Sequence, residues 1–180
     1  MRRRPLVPAG GRGPAAPLGD WAGGPVPAVG TGARRQPSGG GPTALEALAE
    51  EASTCTSCGL VAGRTTVVFG AGSSAADLMF VGEGPGARED EQGVPFVGRS
   101  GQLLDRLLAE ELGIDRTDCY ITNVVKCRPP ENRDPRPDEI AACRPYLEQQ
   151  LALVDPTVIV TLGNFSSKLL LETDVGITKL

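Results

Sequence analysis

The chain has no histidine, few aromatic residues and no apolar run long enough to cross a bilayer. Without histidine, no imidazole is available as an acid, a base or a metal ligand. The arginines that follow Met1 do not lead into the apolar region of a signal peptide, so we predict a cytoplasmic protein of the bacterial type. The chain also lacks a Gly-Lys-Ser/Thr tripeptide, which argues against a P-loop.

What is present divides into two parts. Residues 1–42 are rich in proline, glycine and arginine without a periodic apolar pattern, so we expect a disordered tail. Residues 43–180 hold enough apolar residues for one core and are predicted to form a single domain. The tail holds six arginines and one aspartate, whereas the domain holds 12 basic and 21 acidic residues. A nucleic-acid partner would therefore have to meet a local basic strip on an acidic domain.

Strands and helices are predicted to alternate along this domain. Apolar segments predict strands at residues 67–69, 78–82, 118–125 and 157–162. Helices are expected from a capping box at 43–46 to residue 53, from 100 to 113, from Pro137 onward with a kink at Pro145, and from 163 to 171. This alternation indicates an α/β fold with a mostly parallel sheet that is covered by helices on both faces.

The strand at 78–82 leads into a turn with glycine at positions 82, 84 and 86. Two carboxylates, Glu89 and Asp90, follow this turn. Backbone approaches a ligand closely only where side chains are absent, and an open α/β sheet binds ligands at the carboxyl ends of its strands. The turn is therefore a candidate binding crevice, with a plain strand-to-helix turn as the alternative.

The five cysteines suggest a metal centre. Cys55 and Cys58 form a Cys-x-x-Cys pair, 68 residues separate Cys58 from Cys127, and 15 separate Cys127 from Cys143. Structural disulfides are rare in the cytosol, so a close pair and two further thiols suggest four ligands of either zinc or a [4Fe-4S] cluster. The alternative is that the cysteines are buried apolar residues. Cys119 fits that alternative best, because it lies at the start of a core strand.

A set of motifs in the domain resembles a known family. The motifs are Cys55-x-x-Cys58, Val67-Val-Phe-Gly70, Phe80-Val-Gly-Glu-Gly-Pro-Gly86, Glu89-Asp90, Pro95-Phe-Val-Gly-Arg-Ser-Gly-Gln-Leu-Leu104, Tyr120-Ile-Thr-Asn-Val-Val-Lys-Cys-Arg-Pro-Pro130 and Ala142-Cys-Arg-Pro145. In order and spacing they resemble the family 4, or iron–sulfur, uracil-DNA glycosylases over about residues 43–180. The resemblance implies the three-layer α/β/α sandwich of that superfamily and a [4Fe-4S] cluster on Cys55, Cys58, Cys127 and Cys143.

The resemblance also assigns roles to site residues. Phe96 matches the aromatic ring that stacks on uracil. Asn123 matches the amide that donates to uracil O4 and accepts from N3–H, a pairing that cytosine cannot make. The turn residues Gly82, Glu83 and Gly84 match the motif that holds the uracil and the attacking water. Candidates for activating that water are Glu83, Glu89 and Asp90, with Glu89 favoured, and Asp90 is equally compatible with a structural role. Apart from the resemblance, a basic strip that holds DNA phosphates is expected from the cations that lie near these loops in the sequence, namely Arg99, Lys126, Arg128, Arg133 and Arg136.

One family motif has no counterpart here. The family carries a His-Pro pair on a loop after the last strand, whereas this chain has no histidine and stops at Leu180. We therefore expect a truncated product that lacks the last strand and helix of the sandwich. Its strand at 157–162 should then have one exposed edge.

Three functions are compatible with these features. The first is a monomeric base excision repair glycosylase that hydrolyses the bond between uracil and deoxyribose in single- or double-stranded DNA and leaves an abasic site. The second is a four-cysteine metal-binding module that binds nucleic acid or a protein without chemistry. The third and weakest is a nucleotide-binding domain that uses the glycine turn for phosphates. Cleavage of a uracil-containing oligonucleotide after alkali treatment separates the first two.

Overall fold

The computed structural model describes residues 43–179. The predicted disordered tail at residues 1–42 lies outside the described residues and stays a prediction. The helices are α1 (Ala44–Ser53), α2 (Ala87–Gln92), α3 (Arg99–Leu107), α4 (Pro137–Val154) and α5 (Asn164–Leu170). The strands are β1 (Ala71–Gly72), β2 (Leu78–Gly82), β3 (Tyr120–Asn123) and β4 (Val158–Thr161).

The four strands form one sheet in the order β1-β3-β2-β4. Strand β2 is parallel to both β3 and β4, while the short β1 runs antiparallel to β3. Because parallel neighbours need crossover connections, α3 and α4 lie between successive strands of the sequence. The predicted α/β fold with a mostly parallel sheet is confirmed.

The alternation of side chains along β2 separates two layers of core. Met79 and Val81 pack on one face with residues of α4, including Ile140 and Leu147. Phe80 packs on the other face against Leu104 and Leu108. Helices therefore cover both faces of the sheet, as the near-continuous apolar sequence of β2 requires.

The ends of the helices follow from local sequence. Thr43 caps α1, and its side chain and that of Glu46 form the predicted capping box. Pro137 begins α4, which continues through Pro145 to Val154. Helix α3 is extended by a π-helical turn, Leu108–Leu112, and stops at Gly113 with a φ of 64°. That left-handed conformation costs glycine little, as the predicted stop requires.

Two predicted details were wrong. Residues 67–69 are not a strand: Val68 and Phe69 are buried, but ladder pairing begins at Ala71. An apolar triplet can thus reflect burial of a loop as well as a strand. Helix α3 begins after Gly98 rather than at a Ser100 cap.

Strand β4 is less covered than β2 and β3. Among the described strands β4 lies at one edge of the sheet, as expected, and its residues Val158 and Ile159 are 51% and 43% exposed. No helix within residues 43–179 combines the length and apolar character that crossing a membrane requires.

Candidate active site

The glycine turn and Asn123 lie side by side at the carboxyl ends of β2 and β3. Gly82 is paired with Asn123 in the parallel ladder. Beyond it, Val124 N–H donates to the Gly82 carbonyl at 2.9 Å and Val125 N–H donates to the Glu83 carbonyl at 3.0 Å. The backbone ladder therefore fixes the amide of residue 123 beside the turn.

Phe96 reaches the same point from the loop between α2 and α3. A Cβ atom placed on Gly82 would lie 2.4 Å from Oδ1 of Asn123 and 2.5 Å from Cζ of Phe96. Only glycine leaves room for these two side chains to meet over β2. The ring and the amide predicted to recognise a base therefore converge on the α3 face of the sheet.

Asn123 has an unusual polar environment. Its side chain is 2% exposed, and within residues 43–179 its Oδ1 is the one fully buried side-chain nitrogen or oxygen without a hydrogen-bond partner. Leaving a buried acceptor unpaired costs about 1–3 kcal/mol. No protein group within the described residues pairs with this acceptor, so it is available to a hydrogen-bond donor on a ligand.

The four predicted metal ligands also come together, at the other face of the sheet. Cys55, Cys58, Cys127 and Cys143 line one cavity. Within the described part of the chain, no three Cys, Asp or Glu side chains are arranged to bind a single metal ion. Cys119 lies apart in the core against α3, consistent with a buried apolar role.

Nitrogen donors contact two of the four sulfur atoms that line this cavity. Nη1 of Arg64 donates to Sγ of Cys127 at 3.2 Å, and the backbone N–H of Lys126 donates to Sγ of Cys143 at 3.2 Å. Burial raises the pKa of the Cys127 thiol and raises the pKa of the Cys143 thiol to about 11. Buried thiolates therefore need positive charge beside them, which Arg64 supplies in part and a bound metal would complete.

Comparison with known proteins decides the family. Residues 69–179 match the model of the uracil DNA glycosylase superfamily. The chain belongs to this superfamily. It is similar to the type-4 uracil-DNA glycosylases of Sulfurisphaera tokodaii (52% identical over 69% of this chain and 56% of the relative), Thermotoga maritima (53%, over 66% and 62%) and Archaeoglobus fulgidus (48%, over 69% and 62%). The predicted resemblance to the family 4 enzymes is confirmed.

The chain covers between 56% and 65% of the length of the five type-4 glycosylases that it matches at about 50% identity. The match does include the segments that carry the converging side chains, since Phe96 and Asn123 both lie within residues 69–179. Cys55 and Cys58 precede the part matched by the superfamily model.

Two of the three candidate carboxylates of this glycosylase-like site bind backbone amides. Oε1 of Glu89 accepts from Val97 N–H at 2.9 Å and from Gly98 N–H at 2.7 Å. A Cβ on Gly86 would lie 2.7 Å from Oε2 of Glu89, so this second oxygen is beside the glycine turn. Both oxygens of Asp90 lie 3.0 Å from Thr65 N–H, which favours a structural role for that carboxylate.

Glu83 follows β2 directly and is partly exposed. Burial, and then the nearby Asp134, raise the pKa of its carboxyl. A carboxylate with a raised pKa is a stronger base in its ionised form. The next residue, Gly84, packs against β3: a Cβ atom there would lie 2.8 Å from Cγ2 of Val125.

The predicted phosphate strip needs a correction. Lys126 is 1% exposed, and its Nζ donates to Oγ1 of Thr122 at 2.8 Å and to the Asn123 carbonyl at 2.6 Å. A side chain inside the core cannot reach a phosphate, so the prediction for Lys126 was wrong. Arg133 pairs with the buried Glu139 at the start of α4, which restricts its availability to DNA. Arg99, Arg128 and Arg136 remain predictions.

Sequence reasoning missed two residues near Phe96. Arg116 donates to the backbone carbonyls of Pro95 and Phe96. Gly101 lies so close that a Cβ there would be 1.9 Å from the Phe96 carbonyl oxygen. Gly101 was inside the quoted family motif, but a lone arginine 20 residues beyond Phe96 has no local pattern that could have revealed its role.

Replacing Gly82 with alanine is expected to lower uracil excision by about 100-fold, the usual effect of displacing aligned groups by about 1 Å. The new methyl group would overlap Oδ1 of Asn123 and the Phe96 ring. Gly63→Ala is a matched control, since nothing lies within 4 Å of a Cβ there. Single-turnover excision by each purified variant checks this, and equal rates for both would contradict it.

Proposed function

We propose that this protein excises uracil from DNA and leaves an abasic site. The single observation that carries the proposal is the unpaired Oδ1 of Asn123 meeting the Phe96 ring over Gly82. An enzyme that removes a base must take it out of the stack and recognise its face and its edge. The ring supplies an apolar face, and the amide supplies one acceptor and one donor.

The amide would distinguish uracil from cytosine. Its Oδ1 accepts from uracil N3–H, and its amino group donates to uracil O4. Cytosine has a bare N3 and an exocyclic amine at these places, so both buried groups of Asn123 would face a group of the same kind. Because these groups of Asn123 would then be buried without partners, cytosine should be excised far more slowly than uracil.

The chemical step is hydrolysis. A water oxygen forms a bond to C1′ of deoxyribose and gives a proton to one of the neighbouring carboxylates, while the N-glycosidic bond breaks and its electron pair leaves on uracil N1. Glu83 and Oε2 of Glu89 flank the glycine turn and are the carboxylates that we assign to holding the water and to stabilising positive charge on the sugar. We assign the backbone N–H groups of Gly84 and Gly86 in that turn to the departing uracil oxygens.

A [4Fe-4S] cluster would be held by the four cysteines of the cavity, Cys55, Cys58, Cys127 and Cys143. A zinc ion requires four thiolates at about 2.3 Å from one point. A cluster accepts one thiolate at each iron and so suits sulfur atoms that line a wider cavity. The N–H groups of Arg64 and Lys126 that donate to sulfur are the kind of contact that stabilises such a centre. The cluster would contribute to stability and would hold the end of β3 in place.

The test is excision from a labelled oligonucleotide that contains one uracil, followed by alkali to cleave the abasic site. We expect cleavage of single- and double-stranded uracil substrates and none of the matched cytosine or thymine strands. Ultracentrifugation of the same sample is expected to show a monomer. Intact uracil DNA after incubation with iron-loaded protein would contradict the proposal and favour the metal-binding module.

A further inference from the structure

The loop that carries Phe96 is held from two sides by opposite charges. On the carbonyl side, Nη1 of Arg116 donates to the Phe96 oxygen at 2.7 Å, and Nη2 donates to the Pro95 oxygen. On the amide side, Oε1 of Glu89 accepts from Val97 and Gly98. Each of the four consecutive residues 95–98 thus bonds one backbone group to one of two charged side chains.

Phe96 has a backbone conformation that needs such support. Its φ is 53°, in the left-handed region that a bulky residue rarely adopts. This conformation is strained for a residue with a side chain and persists only where the surroundings impose it. The carbonyl of this residue passes directly against Gly101 of α3, where no Cβ would fit.

Arg116 is itself fixed in place. Its Nη1 lies 2.9 Å from Oδ1 of Asp105 on α3, and the guanidinium side chain is 23% exposed. A planar guanidinium that bridges one carboxylate and two carbonyls restrains direction as well as distance, which a lysine ammonium would not do. Arg116 thereby ties the loop to α3 and to the short 3-10 turn Arg116–Asp118 that precedes β3.

We infer that Arg116 is a positioning residue for base recognition, because it holds Phe96 in the left-handed conformation that directs the ring to Gly82 and Asn123. The inference rests on the proposed function of this site. Arg116 contacts the backbone of Pro95 and Phe96 and the side chain of Asp105, so the Phe96 ring is the part of the base-recognition site that it positions. A ring that is held before the base arrives need not be ordered during binding, and this lowers the cost of recognition.

The first measurement compares Arg116→Ala with Arg106→Ala. Both remove one positive charge near α3, but Arg106 is an exposed residue of the last turn of that helix. We expect Arg116→Ala to lower the single-turnover rate of uracil excision by about 100-fold. Arg106→Ala should remain within about twofold of the unmodified protein.

The second measurement separates positioning from simple stabilisation of the fold. In a double-mutant cycle with Phe96→Ala, loss of Arg116 should cost less than about threefold, because the ring through which it acts is already gone. Full additivity of the two losses would overturn the inference. So would a rate for Arg116→Ala equal to that of the unmodified protein.

Two further outcomes are decisive as well. If Arg116→Ala does not fold, Arg116→Lys keeps the charge without the planar fork and should lower the rate by about 10-fold, again only while Phe96 is present. An unchanged rate in that variant would overturn the inference. If the unmodified protein excises no uracil at all, the proposed function fails first and the inference fails with it.

Discussion

Replacing Asn123 with alanine is expected to lower the single-turnover rate of uracil excision by at least about 1,000-fold. The change removes the acceptor for N3–H and the donor for O4 together, so the flipped base loses its edge contacts. The unmodified protein keeps Oδ1 buried without a partner. Because this oxygen makes no hydrogen bond in the protein, removing the Asn123 side chain should lower the free energy of unfolding by no more than about 1 kcal/mol.

The combination of lost activity and kept stability is the diagnostic result. Asn123→Asp adds a sharper comparison, because aspartate keeps the shape and the acceptor but replaces the donor to O4 with a negative charge. We expect it to be nearly as inactive on uracil as Asn123→Ala. Asn164→Ala removes an exposed amide whose Oδ1 accepts from Ile177 N–H and serves as the control. Full activity of Asn123→Ala would contradict the proposed base recognition.

Replacing Cys127 with serine is expected to prevent binding of the proposed cluster and to lower the free energy of unfolding by more than about 4 kcal/mol. Serine is a harder and shorter ligand, so it should not replace a thiolate on iron. Cys127 is 6% exposed and is the thiol that Arg64 contacts. Without a metal, the guanidinium of Arg64 would face a hydroxyl that cannot balance its charge.

Iron analysis, visible absorption and thermal unfolding of the purified protein measure this result. Cys119→Ser is the matched control, because Cys119 is also buried but packs in the core on the α3 side. It should keep its iron and lose less stability. Uracil excision by Cys127→Ser should also fall. Nζ of the neighbouring Lys126 donates to the Asn123 carbonyl, so a disturbance at residue 127 reaches the residue that recognises the base. Equal iron content in the two variants would rule out Cys127 as a ligand.

Features that depend on neighbouring residues could be predicted from the sequence. The capping box at Thr43, the proline that begins α4 and the glycine that stops the helix after α3 all use local backbone chemistry. The buried strand β2 and its glycine turn were readable for the same reason. The strand expected at 67–69 failed, because apolar residues mark burial and do not by themselves specify ladder pairing.

The amino-acid sequence by itself therefore determined the alternation of strands and helices, the glycines at the end of β2 and the set of cysteines available to a metal. Only the tertiary structure decided that Phe96 and Asn123 meet over Gly82, that Lys126 is inside the core, and that Glu89 and Arg116 hold the same loop. Local preferences act over a few residues, whereas these contacts depend on the register of parallel strands and on which groups burial leaves without water.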